Sequence, residues 1–84
     1  MPTISRFYGI TVRMHQIGKE HNPPHIHVTY NEMSATFKIE DGLILNGYFE
    51  SKGCALVKDF IEQNKDELLN MWSTGKFKKL PPLK

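Results

Sequence analysis

His21, His25 and His27 lie in one short stretch, His21-Asn22-Pro23-Pro24-His25-Ile26-His27, and His15 is the only other histidine of the chain. Imidazole titrates near pH 6.5, so a neutral ring and a protonated ring can coexist and serve as base and acid in phosphodiester cleavage. Arg6, Arg13 and Lys38 are the cations placed to hold a phosphate or its developing charge. The same imidazoles also suit zinc or a similar divalent ion: His25 and His27 with His15 or His21 would make a three-ligand site at about 2.0–2.1 Å. Arg13 and Lys38 oppose a divalent cation in that place. A third reading is structural, with His21 and Asn22 bonding within the loop and His25 and His27 as polar residues of a wet or partner-covered face. The residue types leave open whether the chain is an enzyme and whether it holds a cofactor.

The elements that carry these residues follow from alternation. His25–Tyr30 reads as a β-strand, which places His25, His27 and Thr29 on one face and Ile26, Val28 and Tyr30 on the other. The two imidazoles then stand about 6.6 Å apart along the strand. Pro23 and Pro24 stiffen the entry, so His21-Asn22-Pro23-Pro24 reads as a positioning loop. Asn31-Glu32 makes a tight turn into Met33–Glu40, setting Tyr30 opposite Met33, Val28 opposite Ala35 and Ile26 opposite Phe37. His27 then faces Thr36 and His25 faces Lys38. A slip of one residue would put polar groups across from the apolar set, which selects this register.

Upstream, residues 3–8 are β-prone and Ile10–His15 alternates cleanly, with Gly9 marking a bulge or a bend between them. Antiparallel pairing with His25–Tyr30 brings Arg13 and His15 beside His27 and His25. Downstream, Asp41-Gly42 signals a turn with Gly42 left-handed, setting Leu43 opposite Ile39 and Leu45 opposite Phe37 in a fourth strand, Leu43–Phe49. Ser51 reads as an N-cap. Val57, Phe60, Ile61, Asn64, Leu68 and Trp72 recur at helical spacing, and the Asn64–Glu67 capping-box spacing predicts a break near Asn64. Gly75 is the natural stop.

The fold class expected is α+β: a three- to four-stranded antiparallel meander over about 3–49, a helical region over about 52–74 packed on one sheet face, and an extended basic tail over 75–84. The expected core is Ile10, Val12, Met14, Ile26, Val28, Phe37, Ile39, Phe60, Ile61, Leu68 and Trp72. Eighty-four residues make a single domain with one modest core. The net charge of +2 is too small to diagnose nucleic-acid binding, although Lys76, Lys78, Lys79 and Lys84 crowd the end. Cys54 is the only cysteine, which excludes an internal disulfide and a cysteine-rich zinc motif. It reads as a packing residue at a helix start. The first residues have no apolar leader and no run reaches membrane-spanning length, so a cytoplasmic location away from membranes is expected.

Pro2-Thr3-Ile4-Ser5-Arg6-Phe7-Tyr8-Gly9-Ile10, followed by His21-Asn22-Pro23-Pro24-His25-Ile26-His27-Val28, resembles a family of small prokaryotic domains of unknown function numbered four-one-six-zero. The resemblance extends through Leu68-Leu69-Asn70-Met71-Trp72 to the Lys-Pro tail. It supplies no reaction and no catalytic residues. It implies that such proteins are often encoded beside another small protein, an arrangement similar to toxin–antitoxin pairs. The functional expectation is therefore a toxin–antitoxin-type module. His25 and His27 would touch RNA or nucleotide phosphate, with Arg6, Arg13 and Lys38 as phosphate contacts. A neighbouring-gene protein, RNA and a second copy of the chain are the expected partners. A non-catalytic interaction module with structural histidines and a histidine metal site are the alternatives.

Overall fold

The computed structural model describes residues 3–14 and 23–83. Five strands, β1 (Thr3–Phe7), β2 (Ile10–Arg13), β3 (His25–Tyr30), β4 (Met33–Lys38) and β5 (Ile44–Gly47), precede two helices, α1 (Ser51–Gln63) and α2 (Lys65–Thr74). The strands form one antiparallel sheet in chain order, β1-β2-β3-β4-β5. The α+β layout is as expected, but the sheet has five strands rather than three or four. The extra strand arises at Tyr8-Gly9. Both residues take positive φ, 51° and 79°, so the chain reverses in a two-residue turn and residues 3–7 pair back on 10–13. Gly9 thus marks the bend between two short strands, the second of the two expected possibilities.

The β3–β4 ladder has the register selected by alternation, with Tyr30 opposite Met33, Val28 opposite Ala35, Ile26 opposite Phe37, His27 opposite Thr36 and His25 opposite Lys38. Asn31 supplies the left-handed turn residue at φ 52°. The β4–β5 register differs from the expectation next to the turn, where Phe37 pairs with Ile44 rather than Leu45, and returns to it at Thr36–Asn46 and Ala35–Gly47, beyond an irregularity. Leu45 is the extra residue, so neither Leu43 nor Leu45 lies in the core, and they are 55% and 42% exposed. Gly42 does take the expected left-handed φ, at 73°. The loop is one residue longer than expected, since the Lys38 N–H bonds the Leu43 carbonyl, and the bulge at Leu45 restores the expected register from Thr36 onward.

One apolar face of the sheet and both helices enclose the core. Val12, Met14, Ile26, Val28, Phe37, Ile39, Phe60 and Leu68 are wholly buried, and Ile4, Phe7, Ile10, Phe49, Val57, Ile61 and Met71 pack in the same cluster. Complete burial of a side chain such as Phe37 contributes about 1.5–3 kcal/mol. The helical region breaks at Asn64, as its spacing suggested, but by a different device. Asn64 occupies the N-cap of α2 without a side-chain cap bond, and its Nδ2 donates instead to the Phe60 carbonyl at 3.0 Å. Glu50, not Ser51, occupies the N-cap of α1, again without a side-chain cap bond. Gly75 closes α2 at φ 71°, and its N–H reaches the Met71 carbonyl.

Residues 75–83 are more than a solvated basic end. Leu80 donates its N–H to the Ile4 carbonyl at 2.8 Å, and Leu80 and Leu83 are each 7% exposed. Lys78 forms an ion pair with Glu67 at 2.6 Å. The lysines of this segment stay at the surface while two leucines enter the core. A register shift between Thr3 and Ser5 in β1 leaves both Ile4 and Ser5 buried beside this segment. Among the described residues, no helix is long and apolar enough to cross a membrane.

Candidate functional site

The face of the sheet opposite the helices carries a lateral row of polar residues. Thr3 lies opposite Arg13, Arg13 opposite His27, His27 opposite Thr36 and Thr36 opposite Asn46. Each pair is a direct cross-strand neighbour, with Cβ atoms about 4.5–5.5 Å apart. The next row runs Arg6, Thr11, Thr29 and Ser34. Between them lies a concavity of about 390 Å³, lined by Arg13, His27, Thr29, Ser34, Thr36 and Asn46 and floored by backbone of Val28, Ala35 and Gly47. Arg13 and His27 are half-buried, which holds their heads at the wall rather than in bulk solvent.

Gly47 shapes the outer wall. Its φ is 87°, and a Cβ there would run into the Ser34 carbonyl oxygen and stand 2.9 Å from the Ala35 Cα. Only glycine lets β5 close on β4 at this point, and Asn46 is thereby set beside Thr36.

The groove's chemistry is that of an anion site. Its lining contains one guanidinium, one imidazole, three hydroxyls and an amide, with no carboxylate. Arg13 offers a planar donor fork suited to phosphate or carboxylate. The hydroxyls and the Asn46 amide can each donate a further hydrogen bond.

His25 belongs elsewhere. It keeps the alternation of β3, and its ring centroid lies 5.3 Å from that of His27 in an edge-on arrangement. Yet His25 is only 6% exposed, with the Trp72 ring centroid 4.8 Å away. Its Nδ1 is 2.9 Å from the Pro23 carbonyl oxygen. A carbonyl only accepts, so Nδ1 carries the proton and, in the neutral ring, Nε2 keeps the lone pair. The expectation of two imidazoles on one open face is therefore corrected: α2 reaches the start of β3 and covers the first imidazole. Trp72, expected in the core, is half-buried and spends one side on His25.

Lys38 sits across from His25 and is not among the residues that line the groove. Its ammonium pairs with Asp41 at 2.9 Å, and the hydrogen bond to that carboxylate raises its pKa above the ordinary lysine value. Asp41 is held below the usual carboxylate range, first by the Leu43 N–H it accepts at 3.0 Å and then by Lys38. Arg6 is exposed and lines a second hollow with Lys79, Leu80 and Pro82, apart from Arg13 and His27. Pro23 and Pro24 do deliver the chain into β3, and the Pro24 carbonyl accepts the Ile39 N–H at 3.0 Å. His15, His21 and Asn22, and with them the third ligand of the proposed metal set, lie outside the described residues. Among the described residues, no group of three His, Cys, Asp or Glu side chains is placed to hold a metal ion.

Cys54 donates its thiol to the Phe49 carbonyl at 3.4 Å, and burial pushes its pKa up, as suits a packing residue rather than a nucleophile. Ser34 and Asn46 are groove residues that the sequence did not single out. Asn46 was legible in principle, as the only side-chain amide in an otherwise apolar stretch and opposite Thr36 in the expected register.

No curated protein and no solved structure matches the chain. Residues 9–73 match the family described as "Domain of unknown function (DUF4160)", a span covering β2 through all but the last residue of α2 and every described residue of the groove. On that match, the chain belongs to the DUF4160 family.

Proposed function

We propose that this chain is a binding module for RNA or nucleotide phosphate, and that its site is the groove of Arg13, His27, Thr29, Ser34, Thr36 and Asn46. The observation that carries the reading is the composition of that groove: a guanidinium and an imidazole paired across β2 and β3, ringed by neutral hydrogen-bond donors and free of carboxylates. Phosphate oxygens accept from all of these groups, and the low net charge limits the non-specific electrostatic share of binding. The two-imidazole acid–base pair loses support, because His25 is covered by Trp72 and committed to Pro23. His27 alone remains beside Arg13 as the candidate proton carrier. Arg6 is a peripheral contact for a longer strand, since it lies one row away on the same face. Such a module fits a toxin–antitoxin-type pair, with a neighbouring-gene protein as its partner.

The test expresses the wild type and His27→Ala in cells, with and without the neighbouring protein, and follows growth and RNA integrity. Growth arrest with RNA degradation by the wild type alone, lost in His27→Ala and resistant to chelator, makes the module a nuclease. RNA or nucleotide binding without degradation makes it a binding module. Activity that chelator abolishes and zinc restores moves the site to the histidine metal set. A wild type that neither binds RNA or nucleotide at low salt nor affects growth overturns the reading and leaves a protein-interaction module.

A further inference from the structure

The two edges of the sheet are treated differently. At β1, the segment after α2 hydrogen-bonds along the edge through the Leu80 N–H and the Ile4 carbonyl. At β5, the described residues place nothing beyond the strand, and all four of its residues are exposed. Edge strands are ordinarily protected by lysine, proline or an inward charge. Residues 42–49, Gly-Leu-Ile-Leu-Asn-Gly-Tyr-Phe, contain none of these. Leu43, Ile44, Leu45 and Tyr48 are 55%, 37%, 42% and 68% exposed, a concentration of apolar surface on one edge.

We propose that β5 is the docking edge for a second copy of this chain, pairing antiparallel about a two-fold axis to make one continuous ten-stranded sheet. Two features select a second copy over another partner. The strand bears no charge, so it offers nothing for a charged peptide to read and meets itself without like-charge repulsion. A two-fold at Ile44 sets Ile44 opposite its own copy and Leu43 opposite Leu45, and opposes no charged residue to a like charge. Because the β1 edge is already occupied by the chain's own C-terminal segment, head-to-tail addition of β5 onto β1 is blocked. Pairing therefore closes as an isologous dimer instead of growing into a fibre. A two-fold normal to the sheet keeps both polar faces on one side, so Asn46 of each groove approaches the junction. This assembly does not depend on what the grooves bind.

The experiment is sedimentation of the full chain over a wide concentration range, with Leu45→Lys and Leu43→Lys as exposed variants that leave the core intact. The wild type is expected at twice the 9.7 kDa chain mass. Either variant should raise the dissociation constant at least ~10-fold while far-UV circular dichroism stays unchanged. In hydrogen exchange, β5 amides should lose protection on dilution while β3 amides keep it. A strictly monomeric wild type, a dimer indifferent to both lysines, or a β5 whose exchange ignores concentration would each overturn the proposal.

Discussion

His25 and His27 stand two residues apart on one strand and one face, yet the structure assigns them opposite conditions. The first is a closed position: the Trp72 ring lies against it, its Nδ1–H is spent on Pro23, and the lysine across from it is neutralised by Asp41. The second lines a groove, with Arg13 on one side and Thr36 on the other, although its Nε2 is itself buried. The strand determines which face a histidine takes. What covers that face is decided by elements far along the chain, here the last turns of α2. A cluster of like residues in a sequence therefore need not act as a cluster.

The strongest way to break the comparison is to uncover the closed position. Trp72→Ala removes a half-buried indole and should cost about 2 kcal/mol, lowering Tm by about 10 °C, while groove binding persists in the folded fraction. Thermal denaturation together with a binding titration checks both halves. His25→Ala comes next, at about 1–2 kcal/mol, from a lost hydrogen bond and lost packing. It should leave affinity for phosphate ligands within a factor of about 2 of wild type. His27→Ala should show the reverse pattern, with about 0.5–1 kcal/mol of stability lost and binding weakened ~5–10-fold. If the two alanine variants behave alike, the two positions are not different in kind.

How much of this was legible in the sequence differs from ladder to ladder. The β3–β4 register could be read residue by residue, because Ile26, Val28, Ala35 and Phe37 must share a buried face and a slip of one would expose them all. The β4–β5 register could be read only in part, because Leu43, Ile44 and Leu45 are consecutive apolar residues at an exposed edge, where burial enforces no alternation, and the shift there is undone at Thr36–Asn46. The Tyr8-Gly9 turn was hidden by tyrosine, which seldom takes φ of 51°. The break at Asn64 was visible, but not its use of the Phe60 carbonyl. Leu80 and Leu83 were masked by the lysines and prolines around them. The polar row was legible across β2, β3 and β4, and the closure over His25 was not, since it depends on where α2 ends in space.

The smallest expected effect belongs to the closed end. Asp41 is exposed, and its carboxyl is held below the ordinary value of 3.8 in the folded chain, so its stabilisation is complete above that value and is lost as pH falls through the depressed one. Asp41→Asn should therefore give a slightly lower Tm at neutral pH, with the two curves converging in acid. The raised ammonium of Lys38 works in the opposite direction, since its contribution persists at neutral pH and is lost only as pH rises through its folded value. Freed from Asp41, Lys38 should add little to phosphate binding, because it stands at the His25 end.

The central claim is that Arg13, beside His27, anchors a phosphate in the groove. Fluorescence anisotropy of a labelled short RNA, titrated with wild type and with Arg13→Ala at several salt concentrations, tests it most directly. The expected result is at least ~10-fold weaker binding by the variant at low salt, with the slope of log affinity against log salt reduced by about one phosphate contact. Equal affinity and equal slope for the two proteins, with both folded by circular dichroism, would contradict it.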